Sequence, residues 1–189
     1  MNRKKTIKGI DKYNTDEFEN KVREIFLKIQ NAWKNNNPEE LIHIESSLLY
    51  ERDAKKMRMY TSKNLKEVRN NIVINYAEAD DYYDVGSKKI IKVKVKASME
   101  RYVYDTITGE VVEGIKEYNE TKIYMLTLAK EQEKDGNIKM KCEACGAEVN
   151  IRAMGKCEYC GTLFHTNEHD WIVVDIEEYK DDDESYYSW

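Results

Sequence analysis

The spacing of apolar residues changes from a helical period to a strand period near residue 70, and this change limits the fold more than any other feature of the sequence. Before it, Thr15 with Asp16 and Glu17 marks a helix start. The spacing that follows predicts a helix over 16–34 with one buried face. That face carries Phe18, Val22, Ile25, Phe26, Ile29 and Trp33.

The segment NNNPEE predicts a second helix start. Asn37 is placed as the cap, Pro38 lies in the first turn, and Glu40 is spaced to close a capping box. We expect this helix to continue, with a break, to about Tyr60. Its expected buried stripe is Leu41, Ile44, Leu48 and Leu49.

Beyond Asn70 apolar residues alternate with polar ones, which is typical of strands. Alternation is visible over 72–76 and is clearest from Ile91 to Met99, while Ile123 to Leu128 is apolar on both faces. The short turn segments DVGSK and DTITGE between these runs indicate antiparallel hairpins. The sequence DWIVVDI predicts a final strand.

Helices followed by antiparallel strands define an α+β fold, in which the N-terminal helices pack on a curved sheet. Such a sheet tends to leave a pocket at its open end, and pockets lined by aromatic and polar groups are the usual binding sites. Our candidates for the cavity wall, each of which the pattern favours as a core residue, are Trp33, Tyr50, Tyr76 and Tyr124.

All four cysteines lie in two pairs, each with two intervening residues. This spacing lets both thiolates of a pair reach one ion, and Gly146 and Gly161 follow the pairs where a positive φ favours glycine. The pattern predicts a structural four-thiolate Zn²⁺ site with no position left for a catalytic water. Iron of the rubredoxin type and a thiol–disulfide pair remain as alternatives. The predicted ligands are Cys142, Cys145, Cys157 and Cys160.

The net charge of −5 is concentrated at the C-terminal end, because residues 175–189 carry seven carboxylates and one lysine. The rest of the chain is therefore nearly neutral, which disfavours nonspecific nucleic-acid binding. Clustered cysteines and the lack of a recognisable signal or membrane-spanning segment lead us to expect a cytoplasmic location, or one at the inner face of the membrane.

These patterns divide the chain into five segments. We expect a basic arm over 1–14, a helix–sheet domain over 15–138, a zinc ribbon over 139–166, a final strand over 167–177 and a disordered acidic tail over 178–189. The ribbon is either inserted in the helix–sheet domain or appended to it.

The segment IFLKIQNAW in the first helix, the helix–helix–sheet order, the four-cysteine ribbon and HDWIVVDI together resemble bacterial proteins of the Tim44-like family with a C-terminal zinc ribbon. The resemblance covers about residues 16–177. It implies a cone-shaped fold of the cystatin-like or nuclear-transport-factor-two-like kind. It also implies a noncatalytic binding or tethering module, and it carries over the four cysteines as zinc ligands.

Three functions stay open from the sequence. The first is a nonenzymatic module that binds a protein, a peptide or a lipid, with peripheral membrane contact as one form. The second is a nucleic-acid reader, suggested by zinc ribbons in transcription and translation factors and by a lysine face on one strand, Lys92, Lys94 and Lys96 with Tyr102 and Tyr104. We prefer to explain that row as an exposed sheet face whose lysines discourage edge pairing. The third is a small-molecule enzyme, which requires an acidic side chain in the cavity.

Overall fold

The computed structural model describes residues 15–85, 88–131, 139–142, 144–150, 159–160 and 171–179. Within them lie the helices α1 (Thr15–Asn35) and α2 (Ser47–Ser62), with a 3-10 turn at Pro38–Leu41 between them. The strands are β1 (Leu65–Val85), β2 (Lys88–Asp105), β3 (Val111–Glu131), β4 (Lys139–Lys141), β5 (Glu148–Asn150) and β6 (Ile172–Tyr179). The N-terminal arm, Cys157, Gly161 and residues from 180 onward lie outside the described ranges.

Helix α1 forms where the apolar period predicts it, and the predicted apolar face is buried. The helix ends at Asn35, and the next residue, Asn36, adopts a left-handed φ of 51°. Asparagine tolerates this conformation better than most residues, so it stops the helix without a glycine. Asn64 has a φ of 56° and follows α2 in the same way.

The second helical segment has a break, as expected, but its first piece is only the 3-10 turn, and the predicted cap and buried stripe are partly wrong. Asn37 makes no capping hydrogen bond, and its amide donates instead to the Glu40 carboxylate, 3.0 Å away. The α-helix begins only at Ser47, where the Ser46 hydroxyl accepts from the Leu49 amide. Leu48 is 80% exposed and does not belong to the buried stripe.

Pairing with a distant strand causes this break. The Val173 amide donates to the Ile44 carbonyl and the Ser46 amide donates to the Val173 carbonyl, both at 2.9 Å. These bonds hold residues 44–46 extended beside β6, in the parallel bridge Glu45 to Val173. A continuous helix would lose them, because helical amides bond within their own helix.

Four strands of the described chain form one antiparallel sheet in the order β1-β2-β3-β6. The strands are longer than the apolar alternation suggests, since β1 and β3 each have 21 residues. The last strand extends through Glu178 and Tyr179, which had been assigned to the tail. The observed α+β architecture agrees with the predicted fold class, and the sheet is curved and unclosed.

Irregularities in strand pairing bend the sheet. The register of β1 against β2 shifts at three places, and Asn71, next to the first, has a φ of 51°. Each extra residue tightens the local twist of a strand. In β3 the residues between Gly114 and Asn119 face only one residue of β2, which makes a wide bulge.

The sheet has an inner face, defined here as the one that packs on α1 and carries the odd-numbered β2 side chains from Ile91 to Val103. Those side chains are buried except for Arg101. The Phe26 ring of α1 lies 5.0 Å from the Tyr124 ring, and the Phe18 ring lies 5.5 Å from Trp171. The hydrophobic core therefore lies between α1 and the inner face.

The lysine row lies on the opposite, outer face. Because β2 is flanked by β1 and β3, these lysines are on a central strand and have no edge to protect, contrary to one of our explanations. The Lys94 ammonium pairs with Asp80 at 2.8 Å. Asp81 and Glu78 of β1 stand opposite Lys92 and Lys94 in the register.

Candidate functional site

A pocket of about 340 Å³ lies between the helices and the inner face of the sheet. Both α-helices and all four strands of the sheet contribute to its wall. The lining residues are Ile29, Gln30, Trp33, Arg52, Asp53, Lys56, Arg69, Arg101, Tyr124, Ile176 and Glu178. Its size is at the lower end of the range for small-ligand pockets, and its lining combines aromatic, aliphatic and charged groups.

Two arginines face each other at the back of the pocket. Arg69 of β1 and Arg101 of β2 are direct partners in the register, where like charges normally destabilise a sheet. Glu67 compensates: its Oε1 accepts from Arg69 Nε at 2.9 Å and from Arg101 Nε at 2.7 Å. Arg69 also donates to the Gln30 side chain of α1. We call Glu67, Arg69 and Arg101 the arginine–glutamate cluster.

The cluster is buried, and burial sets the electrostatics of each member. Burial alone would raise the pKa of Glu67, but the guanidinium groups of Arg69 and Arg101 lower that pKa below its ordinary value. Burial lowers the pKa of Arg69, and Glu67 only partly offsets the effect. For Arg101 burial is outweighed by Glu67 and Glu178, so its pKa is raised. The shifts of Glu67 and Arg101 thus both favour the charged form, whereas the shift of Arg69 opposes it.

Aromatic side chains connect the cluster to α2. The Arg69 guanidinium carbon lies 4.6 Å from the centre of the Trp33 ring, a cation–π distance. The Lys56 ammonium lies 5.5 Å from the Trp33 ring centre and 5.4 Å from that of Tyr60. Trp33 Nε1 donates to Asp53 at 3.3 Å, so this buried indole donor has a partner.

Glu178 lines the pocket from the last strand. One carboxylate oxygen pairs with Arg101, and the other accepts from Lys122 at 3.2 Å. Burial alone would raise the pKa of Glu178, but these two cations lower it. The side chain remains 38% exposed, so this carboxylate lies where the pocket meets solvent.

The four predicted wall residues divide into two pairs. Trp33 and Tyr124 line the pocket. Tyr50 packs half-buried against the core and is not among the lining residues. Tyr76 stands opposite Lys96 in the register and therefore lies on the outer face, because directly paired residues share a face.

The charged wall residues were not predicted from the sequence, although one signal was present. Apolar residues at odd positions from Ile91 to Met99 show which side chains of β2 point to the inner face. Continuing this alternation by two residues places Arg101 on the same face. A charged residue in phase with a buried run is a candidate for a site, since a buried charge needs a partner.

Glu45 is a second buried carboxyl group, outside the pocket. It is 1% exposed, and neither carboxyl oxygen has a hydrogen-bond partner. Burial, followed by the charge of Asp53, raises its pKa to about 8, although Arg52 acts in the opposite direction. Glu45 is therefore protonated in the folded chain at neutral pH.

The cysteines that the structure describes lie together. The sulfur atoms of Cys142, Cys145 and Cys160 are within 4.8 Å of one another, and the Cys142 and Cys160 sulfurs are 3.6 Å apart. The Gly146 amide donates to the Cys142 carbonyl at 2.7 Å, and Gly146 has the expected positive φ, 72°. Cys157 lies outside the described residues.

This geometry fits a metal ion. In a tetrahedral site with Zn–S bonds of about 2.3 Å, sulfur atoms are separated by about 3.8 Å. The 3.6 Å separation is close to that value and far from the disulfide bond length of about 2 Å. Strands β4 and β5 pair antiparallel around the first cysteine pair and hold its turn in place. Three cysteines here are thus close enough to bind a metal ion.

The helices, the curved sheet and the pocket define an α+β domain with a cavity on the inner face. The chain belongs to the Tim44-like domain family, whose family model matches residues 4–140. No curated protein matches the sequence. Among solved structures, the intermembrane space region of the chloroplast protein ARC6 is similar, at 9% identity and a TM-score of 0.46, over 85% of this chain and 95% of that one.

Among the described residues, no helix combines the length and apolar character needed to cross a membrane.

Proposed function

We propose that this chain is a noncatalytic binding or tethering module whose helix–sheet domain takes a protein or peptide in the pocket. The observation that carries the proposal is the wall of that pocket, where side chains from both helices and all four strands converge. We expect a site built from so many elements to be preorganised, which would lower the entropy lost on binding. Membership of the Tim44-like family supports the same interpretation.

The state of the wall carboxylates supports a nonenzymatic role. Asp53 accepts from Trp33 and pairs with Arg52 at 3.0 Å, and Glu178 pairs with Arg101 and Lys122. A general base must instead reach a substrate proton with a lone pair that is available. Both carboxylates already neutralise cations, which suits positioning better than proton transfer.

The proposal includes a structural zinc ion at the cysteine site. Zinc would be held by Cys142, Cys145 and Cys160, with Cys157 as the fourth ligand expected from the sequence. Thiolate ligands require a reducing compartment, so we propose that the chain works in the cytoplasm or at the inner face of a membrane. When bound, zinc supplies folding free energy to the short ribbon.

A photo-crosslinking experiment in cells tests the binding proposal. A photoreactive amino acid replaces Lys56 at the pocket, or Lys94 on the outer face as the matched control. We expect one or more protein adducts that form from position 56 and are absent from position 94. Equal adduct patterns from both positions would contradict pocket binding.

Elemental analysis of the purified chain tests the metal proposal. We expect about one zinc per chain, reduced to background in Cys142→Ser. Iron at the same ratio, with the colour of a thiolate–iron centre, would contradict the zinc proposal and support the rubredoxin-type alternative. A chain with neither metal and with oxidised thiols would contradict a metal site.

The lysine face gives the nucleic-acid alternative little support. The acidic residues opposite Lys92 and Lys94, and the ion pair of Lys94 with Asp80, offset the positive charge of the row. Oligonucleotide titrations at low salt are expected to show no binding. Binding with a steep salt dependence would instead favour nucleic acid, because each neutralised phosphate steepens that slope.

A further inference from the structure

Cations outnumber carboxylates in the pocket wall. Arg52, Lys56, Arg69 and Arg101 line it, against Asp53 and Glu178. Even with Glu67 behind the arginines, the site keeps an excess of positive charge. A low-dielectric cleft with such an excess attracts an anionic group. We infer that the pocket recognises an acidic peptide segment through a carboxylate, an inference that rests on the proposed binding function.

Lys56 is the cation with the clearest capacity for a ligand. Within the described residues its ammonium contacts the faces of Trp33 and Tyr60, and no carboxylate pairs with it. Cation–π contacts leave the three N–H donors available. Arg69, in contrast, already donates to Glu67 and Gln30 and serves to hold the site.

The chain's own last strand shows what such a ligand looks like. Ile176 and Glu178, two residues apart in β6, both line the pocket, with the Glu178 carboxylate on Arg101. A peptide with an apolar residue two positions before an acidic one thus fits the wall. The apolar side chain fits its aromatic part, and the acidic side chain fits its cationic part. Glu178 occupies an anion position in the unliganded chain, and an acidic peptide displaces it from Arg101.

This arrangement makes Glu178 an intramolecular competitor. Its carboxylate is 38% exposed and its second oxygen is on Lys122, so it can leave Arg101 and keep one partner. Glu67 remains on Arg101 and prevents an uncompensated buried cation. Removing the Glu178 charge should therefore strengthen binding of an external carboxylate without unfolding the sheet.

Peptide titration of the full, zinc-loaded chain, followed by backbone and arginine side-chain NMR signals, tests the inference. The probe is the capped peptide GIEIEG, and its control is GIQIQG. We expect saturable shifts at Arg101 and around Lys56 with the acidic peptide only. Glu178→Gln is expected to tighten binding and Lys56→Met to weaken it, each by about tenfold, as for one charge-assisted contact. Lys94→Met, on the outer face, is the matched control and should leave affinity unchanged.

The outcomes separate this inference from the broader proposal. Equal binding of both peptides, or binding that ignores Lys56→Met and Glu178→Gln, would overturn the anion site and leave the binding module intact. Inorganic phosphate is titrated in parallel. NMR shifts with phosphate and none with the acidic peptide would overturn the assignment of an acidic peptide as the ligand. They would identify a phosphorylated small ligand instead. No response to either probe in Glu178→Gln would overturn the inference altogether.

Discussion

A pH effect on stability is expected from Glu45. In the unfolded chain this carboxyl group loses its proton above its ordinary pKa of 4.5, whereas in the folded chain it keeps the proton up to about pH 8. Between these values the folded state binds more protons than the unfolded state, so the free energy of unfolding falls as the pH rises. The sign is opposite to that of a carboxylate held in an ion pair.

The size of the effect follows from the shift. Each pKa unit corresponds to about 1.4 kcal/mol, so raising the pH from about 5.5 to about 7.5 should cost about 2.5 kcal/mol through Glu45 alone. Glu45→Gln keeps the shape and removes the titration. The variant should therefore gain about 2.5 kcal/mol relative to wild type over the same pH interval.

Urea unfolding at several pH values measures this difference. Protonation of the cysteine site also changes with pH, but it is common to both proteins and cancels in the difference between them. Glu51→Gln, exposed on α2, is the matched control and should show a constant difference from wild type. A constant difference for Glu45→Gln would refute the reasoning, since it would mean that Glu45 titrates alike in both states.

Three further predictions, made with five substitutions, test the packing and the cluster by urea unfolding. Phe26→Ala should cost about 3–5 kcal/mol because its ring is fully buried against Tyr124, whereas Leu48→Ala, exposed, should change stability by less than about 0.5 kcal/mol. Equal effects would contradict the assigned core. Gly114→Ala should be more costly than Gly109→Ala. Both have a positive φ, but a Cβ at Gly114 would lie 2.4 Å from the Arg101 carbonyl oxygen and at Gly109 would meet nothing. The reverse order would contradict the bulge. Glu67→Gln should cost about 3–5 kcal/mol because it leaves two buried guanidinium groups with less compensation, and a cost below about 1 kcal/mol would show that the cluster is more solvated than described.

Local patterns in the sequence were sufficient for the elements whose burial is one-sided. Helix α1 and the middle of β2 each bury one face of a regular period, so their spacing alone predicts them. The first half of β3, including Ile115 and Tyr118, is exposed and pairs only with β2, so it leaves no apolar alternation to detect.

Long-range pairing explains features whose positions the sequence did not predict. The break before α2 depends on hydrogen bonds to Val173, which is more than 120 residues away in the chain. The strand that ends at Tyr179 depends on its register with β3, and its acidic residues read as a solvated tail when taken alone. Nothing within a local window encodes either contact.

The candidate sites differ in the same way. The cysteine spacing is a local signature, and it led directly to three residues whose sulfurs lie together. The pocket is assembled from six elements, and most of its lining side chains are polar or charged. The residues predicted for its wall were all aromatic. Trp33 and Tyr124 met that prediction because they also belong to the core.

Stability alone does not account for the arginine–glutamate cluster. A buried ion triad can often be replaced by packed apolar residues at no cost, or with a gain of about 1–4 kcal/mol, because desolvation consumes most of the Coulomb attraction. Here the chain keeps Arg69 directly opposite Arg101, the least favourable register for two cations, and commits one fully buried carboxylate to both. A fold selected for stability alone has no need of that arrangement. A site that must present a fixed guanidinium group to an anion does need it. Glu67 and the sheet hold Arg101 in position before any ligand arrives.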